Sequence, residues 1–86
     1  MPEVSRFFGI VIKMFFSDHA PPHFHAYYQN YSATFSIKTG KKLKGSFPKT
    51  QETFITAWAL LRKEALLKNW NSVTDGMNPN KIDPLR

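Results

Sequence analysis

The sequence contains no cysteine, which excludes a disulfide framework, a thiolate nucleophile and any zinc site with cysteine ligands. Long apolar runs are also missing. The longest, Phe7 to Phe16, covers ten positions and is interrupted by Gly9 and Lys13, whereas a membrane-spanning helix needs roughly 20 apolar residues. The amino end lacks the basic leader and the small-residue cleavage site of a secretory signal. We therefore expect a cytoplasmic protein that does not enter the membrane.

Acidic residues are scarce: 6 Asp and Glu stand against 12 Lys and Arg, so the formal charge is +6 and the pI is near 9.9. This excess favours polyanions, RNA among them, or an acidic protein as partners. Hydrophobic residues make up 42% of the 86 positions, which excludes a disordered chain. The length suits one small hydrophobic core, and we expect a single domain over residues 1–86.

The first half of the chain has the period-two alternation of β-strands. The segment Arg6–Phe16 is apolar on both faces and predicts one central strand. His23–Tyr28 and Tyr31–Lys38 predict a hairpin around the two-residue loop Gln29-Asn30, and that loop length implies a register in which paired positions sum to 59. This register separates apolar pairs on one face of the sheet from polar pairs on the other.

A second hairpin and a helix complete the predicted fold. Thr39-Gly40-Lys41 predicts a three-residue loop that would place Lys38 opposite Lys42. From Pro48 to about Trp70, apolar residues recur at helical spacing and predict one helix. Its apolar surface exceeds what one sheet covers, so either the C-terminal tail folds back over it or another chain does, as in a homodimer. The expected class is α+β, a small antiparallel sheet of three to four strands with one long C-terminal helix packed on one face.

The residues most suited to chemistry cluster before and within the second predicted strand. All three histidines and one carboxylate lie within eight positions: Asp18, His19, His23 and His25. Asp18 is the only acidic residue between positions 4 and 51, a stretch that holds seven Lys or Arg. His23 and His25 are two positions apart on a strand and therefore point to the same face. These four residues are the candidate catalytic residues.

Three interpretations of this cluster remain open. The histidines can be ordinary surface positions, with Asp18 stabilising a turn. Asp18, His23 and His25, with His19 as a further candidate, can be ligands of Zn, Mn, Fe or Ni. The cluster can also carry out metal-free acid–base chemistry such as RNA cleavage, because a histidine exchanges protons near neutral pH. The cofactor is therefore either absent or a divalent metal.

The predicted polar face of the sheet extends this cluster with candidate substrate-binding residues, namely Tyr27, Lys38, Lys42 and Lys44. Lysines stabilise phosphate charge, and like charges facing each other across strands are destabilising unless an anion relieves them. The competing interpretation is a solvated sheet edge whose lysines prevent aggregation.

Three parts of the sequence resemble a family of small bacterial proteins, the domain of unknown function 4160. They are Pro2–Ile12, the run Asp18–His25 with its DH-x-PPHFH signature, and Asn69-Trp70 together with Lys81–Leu85. Ala20 departs from the polar residue, such as Asn, expected inside the signature. The resemblance implies a two-gene, toxin–antitoxin-like module, with this basic chain as the toxin and a small antitoxin-like protein as its partner.

The leading hypothesis from the sequence is a small basic toxin-like protein that acts on RNA or another phosphate-bearing substrate, as a ribonuclease-like enzyme. His23 and His25 would exchange protons, with Asp18 and His19 orienting or assisting them. Two alternatives stay open. One is a non-enzymatic protein- or nucleic-acid-binding module that uses the surplus apolar helix surface. The other is a metal-dependent enzyme built on the same Asp and His residues.

Overall fold

The computed structural model describes residues 3–16 and 18–85, and within them the chain forms a five-stranded antiparallel sheet and two helices. The strands lie in the sheet in chain order: β1 (Glu3–Phe7), β2 (Ile10–Lys13), β3 (His23–Tyr28), β4 (Tyr31–Ser36) and β5 (Lys42–Ser46). The helices are α1 (Lys49–Leu61) and α2 (Lys63–Thr74). The α+β class and the antiparallel sheet are confirmed, whereas the predicted counts of strands and helices are wrong.

The additional strand arises because the segment Arg6–Phe16 is a hairpin and not one strand. Phe8 and Gly9 both adopt positive φ, 49° and 78°, and this turn brings Phe7 opposite Ile10. Positive φ costs glycine little, and it is uncommon for a residue such as phenylalanine. The turn carries no polar residue that would interrupt the apolar run. Hydrophobic periodicity alone therefore does not reveal the turn and predicts one continuous strand.

The hairpin β3–β4 has the register that its two-residue loop predicts, from His23 opposite Ser36 to Tyr28 opposite Tyr31. The next hairpin differs from the prediction, because Phe35 pairs with Lys42 and residues 37–41 form the loop. The register shifts between Thr34 and Phe35, while the backbone N–H of Ile37 still donates to the carbonyl of Pro22, at 3.1 Å, beside β3. Lys38 consequently lies in the loop and does not oppose Lys42.

The single long helix that the sequence predicts is broken at Arg62, where φ is −110° and ψ is 22°. A continuous helix over residues 49–74 would be about 39 Å long at the usual rise per residue, whereas the longest dimension of the fold is 33 Å. The break lets both segments pack on the body of the protein. The Arg62 guanidinium then donates a hydrogen bond to the carbonyl of Pro84 in the tail, at 3.3 Å.

One apolar core fills the space between the sheet and the helices, and Trp58 of α1 is fully buried against Phe24 of β3. The C-terminal tail folds back over the helices: Ile82 is buried, and its backbone N–H donates to the carbonyl of Val4 at 2.7 Å. This is the first of the two arrangements that the apolar helix surface allowed. Leu60 and Leu61 remain exposed beside it. Neither helix in residues 3–16 and 18–85 is long and apolar enough to cross a membrane.

Candidate functional site

Three of the predicted site residues converge where the connector before β3 meets the strand. The Nε2 atoms of His25 and His23 lie 3.0 and 3.4 Å from the same carboxylate oxygen, Oδ2 of Asp18. Each of the three side chains is between 15 and 22% exposed. The two imidazoles stand 5.2 Å apart, edge to face. Alternation along β3 explains the pairing, since residues two apart lie on one face of the sheet.

A hydrogen bond to the backbone fixes the orientation of the His23 ring. Its Nδ1 lies 2.8 Å from the carbonyl oxygen of Pro21, and because a carbonyl only accepts, this nitrogen carries the hydrogen. Neutral His23 then presents a bare Nε2 lone pair toward the Asp18 carboxylate. Two lone pairs facing each other are repulsive, so this arrangement calls for a cation between the two atoms or a proton on the ring.

These atoms form a donor set that suits a divalent transition metal. The ligating atoms of Asp18, His23 and His25 all lie within 4.8 Å of one another, and two ligands of one tetrahedral metal ion lie about 3.4 Å apart. Two imidazoles and one carboxylate suit Zn, Mn, Fe or Ni. A metal-binding histidine commonly donates its other ring N–H to a backbone carbonyl, as His23 does to Pro21. With three protein ligands, a metal ion would keep an open position, as catalytic sites do.

Aromatic side chains enclose the two imidazoles. The ring of Trp70, from α2, lies 5.3 Å from that of His23, and the ring of Phe15 lies 4.6 Å from that of His25 at an edge-to-face angle. Apolar neighbours restrict water and so strengthen electrostatic interactions at a site. The cluster therefore has a polar centre, an aromatic surround and, through Pro21, a fixed ring orientation.

Two lysines flank His25 along a row that crosses four strands. Lys13 pairs with His25, His25 with Thr34, and Thr34 with Lys44. Directly paired residues project on the same side of a sheet, so this row shares one face. Lys44 stands two strands from His25, about 10 Å, and both residues line the same cleft.

A cleft of about 460 Å³ opens beside the cluster, and His23, His25, Thr34 and Lys44 are among its lining residues. A second cleft of about 250 Å³ continues along the same face and adds Tyr27 and Ser32. The Lys13 ammonium lies 5.2 Å from the centre of the Tyr27 ring. The face thus presents positive charge and hydroxyl groups next to the three converging side chains.

The remaining predicted site residues lie elsewhere or at the margin. His19 is exposed and lines the larger cleft, and it is outside the convergent group formed by the described residues. Lys38 is exposed in the loop before β5. Lys42 lies toward the helix, where its Nζ is 3.7 Å from Oε1 of Glu52. The predicted cationic patch therefore includes Lys44 and excludes Lys42, because the register of β5 differs from the predicted one.

Several contributors to this site were missing from the sequence-based set. Lys13 could have been predicted, because alternation along β2 places it on the face of His25 once the register is known. Phe15 belongs to the same parity class. Trp70 carries no local signal, since it is 47 positions from His23 and reaches it only through the packing of α2.

Comparison with curated proteins finds no match, and comparison with solved structures finds none either. A protein-family model, described as Domain of unknown function (DUF4160), matches residues 9–71. The match includes the whole run from Asp18 to His25, the row across the sheet and both helices up to Asn71. The chain therefore belongs to the family of the domain of unknown function DUF4160.

Proposed function

We propose that this protein is a divalent-metal-dependent enzyme that hydrolyses a phosphodiester, with RNA as its substrate class. The observation that carries the proposal is the convergence of both Nε2 atoms on one oxygen of Asp18, at 3.0 and 3.4 Å, on a face flanked by Lys13 and Lys44. The net charge of +6 adds long-range attraction for a polyanion.

The division of labour follows from the positions of the side chains. Asp18, His23 and His25 would hold the ion, which when bound supplies a Lewis acid for the phosphoryl oxygen and a more acidic water. Lys44 and Lys13 would hold the substrate phosphates on either side of His25. In the net reaction a water molecule gives a proton to solvent as its oxygen bonds to phosphorus, one P–O ester bond breaks, and the leaving oxygen takes a proton from solvent.

The contacts of His23 favour this metal-dependent version over direct proton exchange by the two histidines. Its Nδ1 donates to the carbonyl of Pro21, and its Nε2 faces Asp18. Neither ring nitrogen is thus directed to a substrate in the cleft. A general acid or base must lie within hydrogen-bond reach of the proton that it transfers, whereas a metal ligand needs only the arrangement seen here.

We extend the proposal to the cell: the enzyme would act in the cytoplasm as the toxin-like half of a two-gene module, with a small antitoxin-like protein as its inhibitor. The net charge of +6 supports this role, because a toxin that acts on RNA has to attract a polyanion. Expression of the protein should arrest growth, and expression of a His23→Ala, His25→Ala variant at matched level should not. Equal growth for both proteins would contradict the toxin-like role and leave the chemistry to be judged separately.

The chemical experiment combines metal binding with cleavage. After treatment with a chelator, the protein is titrated with Zn²⁺ by calorimetry and then incubated with end-labelled single-stranded RNA, with and without Zn²⁺ or Mn²⁺. The wild type should bind the metal and cleave only in its presence. The His23→Ala, His25→Ala variant, purified in parallel to control for contaminating nucleases, should do neither.

His19→Ala is the matched control for metal binding, because it removes a neighbouring imidazole that lies outside the convergent group. Its Zn²⁺ affinity should equal that of the wild type. Cleavage that is the same in chelator and in metal, and that survives loss of both His23 and His25, would overturn the proposal. Metal binding without cleavage of RNA or of bis(p-nitrophenyl) phosphate would keep the metal centre and overturn the phosphodiesterase assignment.

A further inference from the structure

A second concave surface, which the proposed chemistry does not use, lies between the start of β5 and the helix α1. This groove has a volume of about 630 Å³, larger than either cleft beside the histidines. It lies on the opposite side of the sheet from them. Trp58 of α1 packs on Phe24, and Phe24 points away from its neighbours His23 and His25 on the strand.

The groove combines an apolar floor with a basic rim. We name its apolar lining residues, Ala57 and Leu60, the floor. Both are exposed, Leu60 by 57%, although the C-terminal tail covers much of the other apolar helix surface. Lys41, Lys42 and Lys49 line the rim. The hydroxyls of Thr56 and Thr53 already donate to the carbonyls of Gly40 and Lys49, at 2.7 and 3.0 Å. The groups that remain to face a ligand are the apolar floor, the lysines and Glu52.

Among the described residues that line the groove, one carboxylate accompanies these lysines. Glu52 pairs with Lys42, at 3.7 Å between Nζ and Oε1, and thereby offsets one of the three positive charges around the groove. The rim keeps an excess of positive charge. A ligand that fits must therefore bring negative charge to the rim and apolar groups to the floor.

We propose that this groove docks an acidic amphipathic segment of another protein. The chemistry disfavours the other occupants. Nucleic acid would place its phosphates next to Glu52 and would leave the leucine floor unmatched. A second copy of this chain carries +6 and would bring lysine rims together. A segment with leucine-like side chains flanked by carboxylates matches both features, because apolar burial supplies affinity and complementary charge supplies rate and specificity.

The proposal is tested with a synthetic helical peptide that has leucines along one face and glutamates beside them. A scrambled peptide of the same composition and a counterpart with lysine in place of glutamate serve as controls. Fluorescence anisotropy should show that the wild type prefers the first peptide to both controls. Leu60→Ala should weaken binding at least about tenfold, as expected for loss of a buried leucine contact. Lys41→Glu with Lys49→Glu should weaken it most at low salt.

Two variants supply matched controls outside the groove. Leu61→Ala removes the adjacent leucine, which is 68% exposed and does not line the groove. Lys68→Glu reverses an exposed charge on α2. Both should bind the peptide as the wild type does, and circular dichroism should show all variants folded, since every altered side chain is exposed.

Three results would overturn the docking assignment. The first is equal affinity of the wild type for all three peptides. The second is a dimer in light scattering that Leu60→Ala dissociates, which would make a second copy the occupant. The third is an RNA oligonucleotide whose binding is weakened by Lys41→Glu with Lys49→Glu. Each readout is independent of metal binding, so failure of the metal centre and failure of the groove can be told apart.

Discussion

Two concave regions of this protein, the clefts beside the histidines and the groove beside α1, are both basic, yet they present different chemistry. On the histidine face, Lys13 and Lys44 flank side chains whose donor atoms converge on one carboxylate oxygen. At the groove beside α1, lysines surround an apolar floor and a single carboxylate. Positive charge alone therefore does not define a function here. The neighbours of the lysines separate a surface suited to chemistry from one suited to docking.

The sheet itself produces this division. Along β3 the histidines alternate with Phe24 and Ala26, so one side of the strand carries imidazoles and the other enters the core. The apolar side attracts α1, and α1 in turn forms one wall of the groove. The polar side is covered in part, by Trp70 at His23, and retains the clefts. One alternating strand thus places the two regions back to back.

The largest effect should come from Trp58→Ala, which damages the core that both regions share. Trp58 is fully buried and donates from its indole to the carbonyl of Asp83 at 2.8 Å. Removing a buried aromatic costs about 3–5 kcal/mol, so urea unfolding should shift strongly, and zinc and peptide binding should weaken together. Trp58→Phe is the milder control. An unfolding midpoint equal to that of the wild type would contradict the central role of this side chain.

The next comparison takes one carboxylate from each region: Asp18→Asn on the histidine face and Glu52→Gln at the groove beside α1. Asp18→Asn removes a proposed ligand without changing its shape. Its zinc affinity should fall by more than the about 10–100-fold that loss of an outer-shell partner causes. Glu52→Gln should leave zinc affinity unchanged and should strengthen binding of the acidic peptide. Calorimetry and anisotropy measure the two quantities, and a loss of zinc binding in Glu52→Gln would break the distinction between the regions.

Asn69→Ala tests whether the hydrogen bonds of Asn69 hold the C-terminal tail over α2 without affecting the open groove on α1. The side-chain amide of the buried Asn69 donates a hydrogen bond to the carbonyl of Asn80, at 2.8 Å, and accepts one from the backbone N–H of Asn80, at 2.9 Å. Losing both bonds should cost about 1–3 kcal/mol in the free energy of unfolding, measured by urea denaturation. Peptide binding at the groove should not change. Asn71→Ala, at an exposed position, is the control. Equal losses of stability in the two variants would argue against a role of the Asn69–Asn80 hydrogen bonds in holding the tail.

The smallest effect should come from Glu3→Gln, outside both regions. The hydrogen bonds that Arg6 donates to Glu3, at 2.9 and 3.1 Å, lower the pKa of the Glu3 carboxyl. A carboxyl whose pKa is lowered in the folded state contributes stability at pH values above the ordinary glutamate pKa. This contribution is lost as the pH falls through the folded-state pKa. The free energy of unfolding of the wild type should thus be slightly larger than that of the variant near neutral pH and equal to it in strong acid. Unfolding curves at several pH values check this, and a difference that grows in acid would contradict the sign.

Some of these features were accessible from local sequence. The two-residue loop Gln29-Asn30 fixes one pairing of β3 with β4, and all its pairs are found as predicted. The histidine spacing implied a shared face, and His23 and His25 do share one. The next hairpin was not accessible in this way, because its register shifts between Thr34 and Phe35 and loop length alone does not predict such a shift. Its lysines were accordingly assigned to the wrong place.

The sequence by itself determined the α+β class, the polar and apolar faces of the β3–β4 hairpin, the positive charge and the proximity of Asp18 to the histidines. These depend on short-range geometry: strand parity, loop length and covalent spacing. Tertiary structure alone decided that Trp70 covers His23, that the helix breaks at Arg62, and that Lys42 lies beside α1. Those outcomes depend on packing between segments far apart in the chain, and no local pattern records which distant side chain fills a given space.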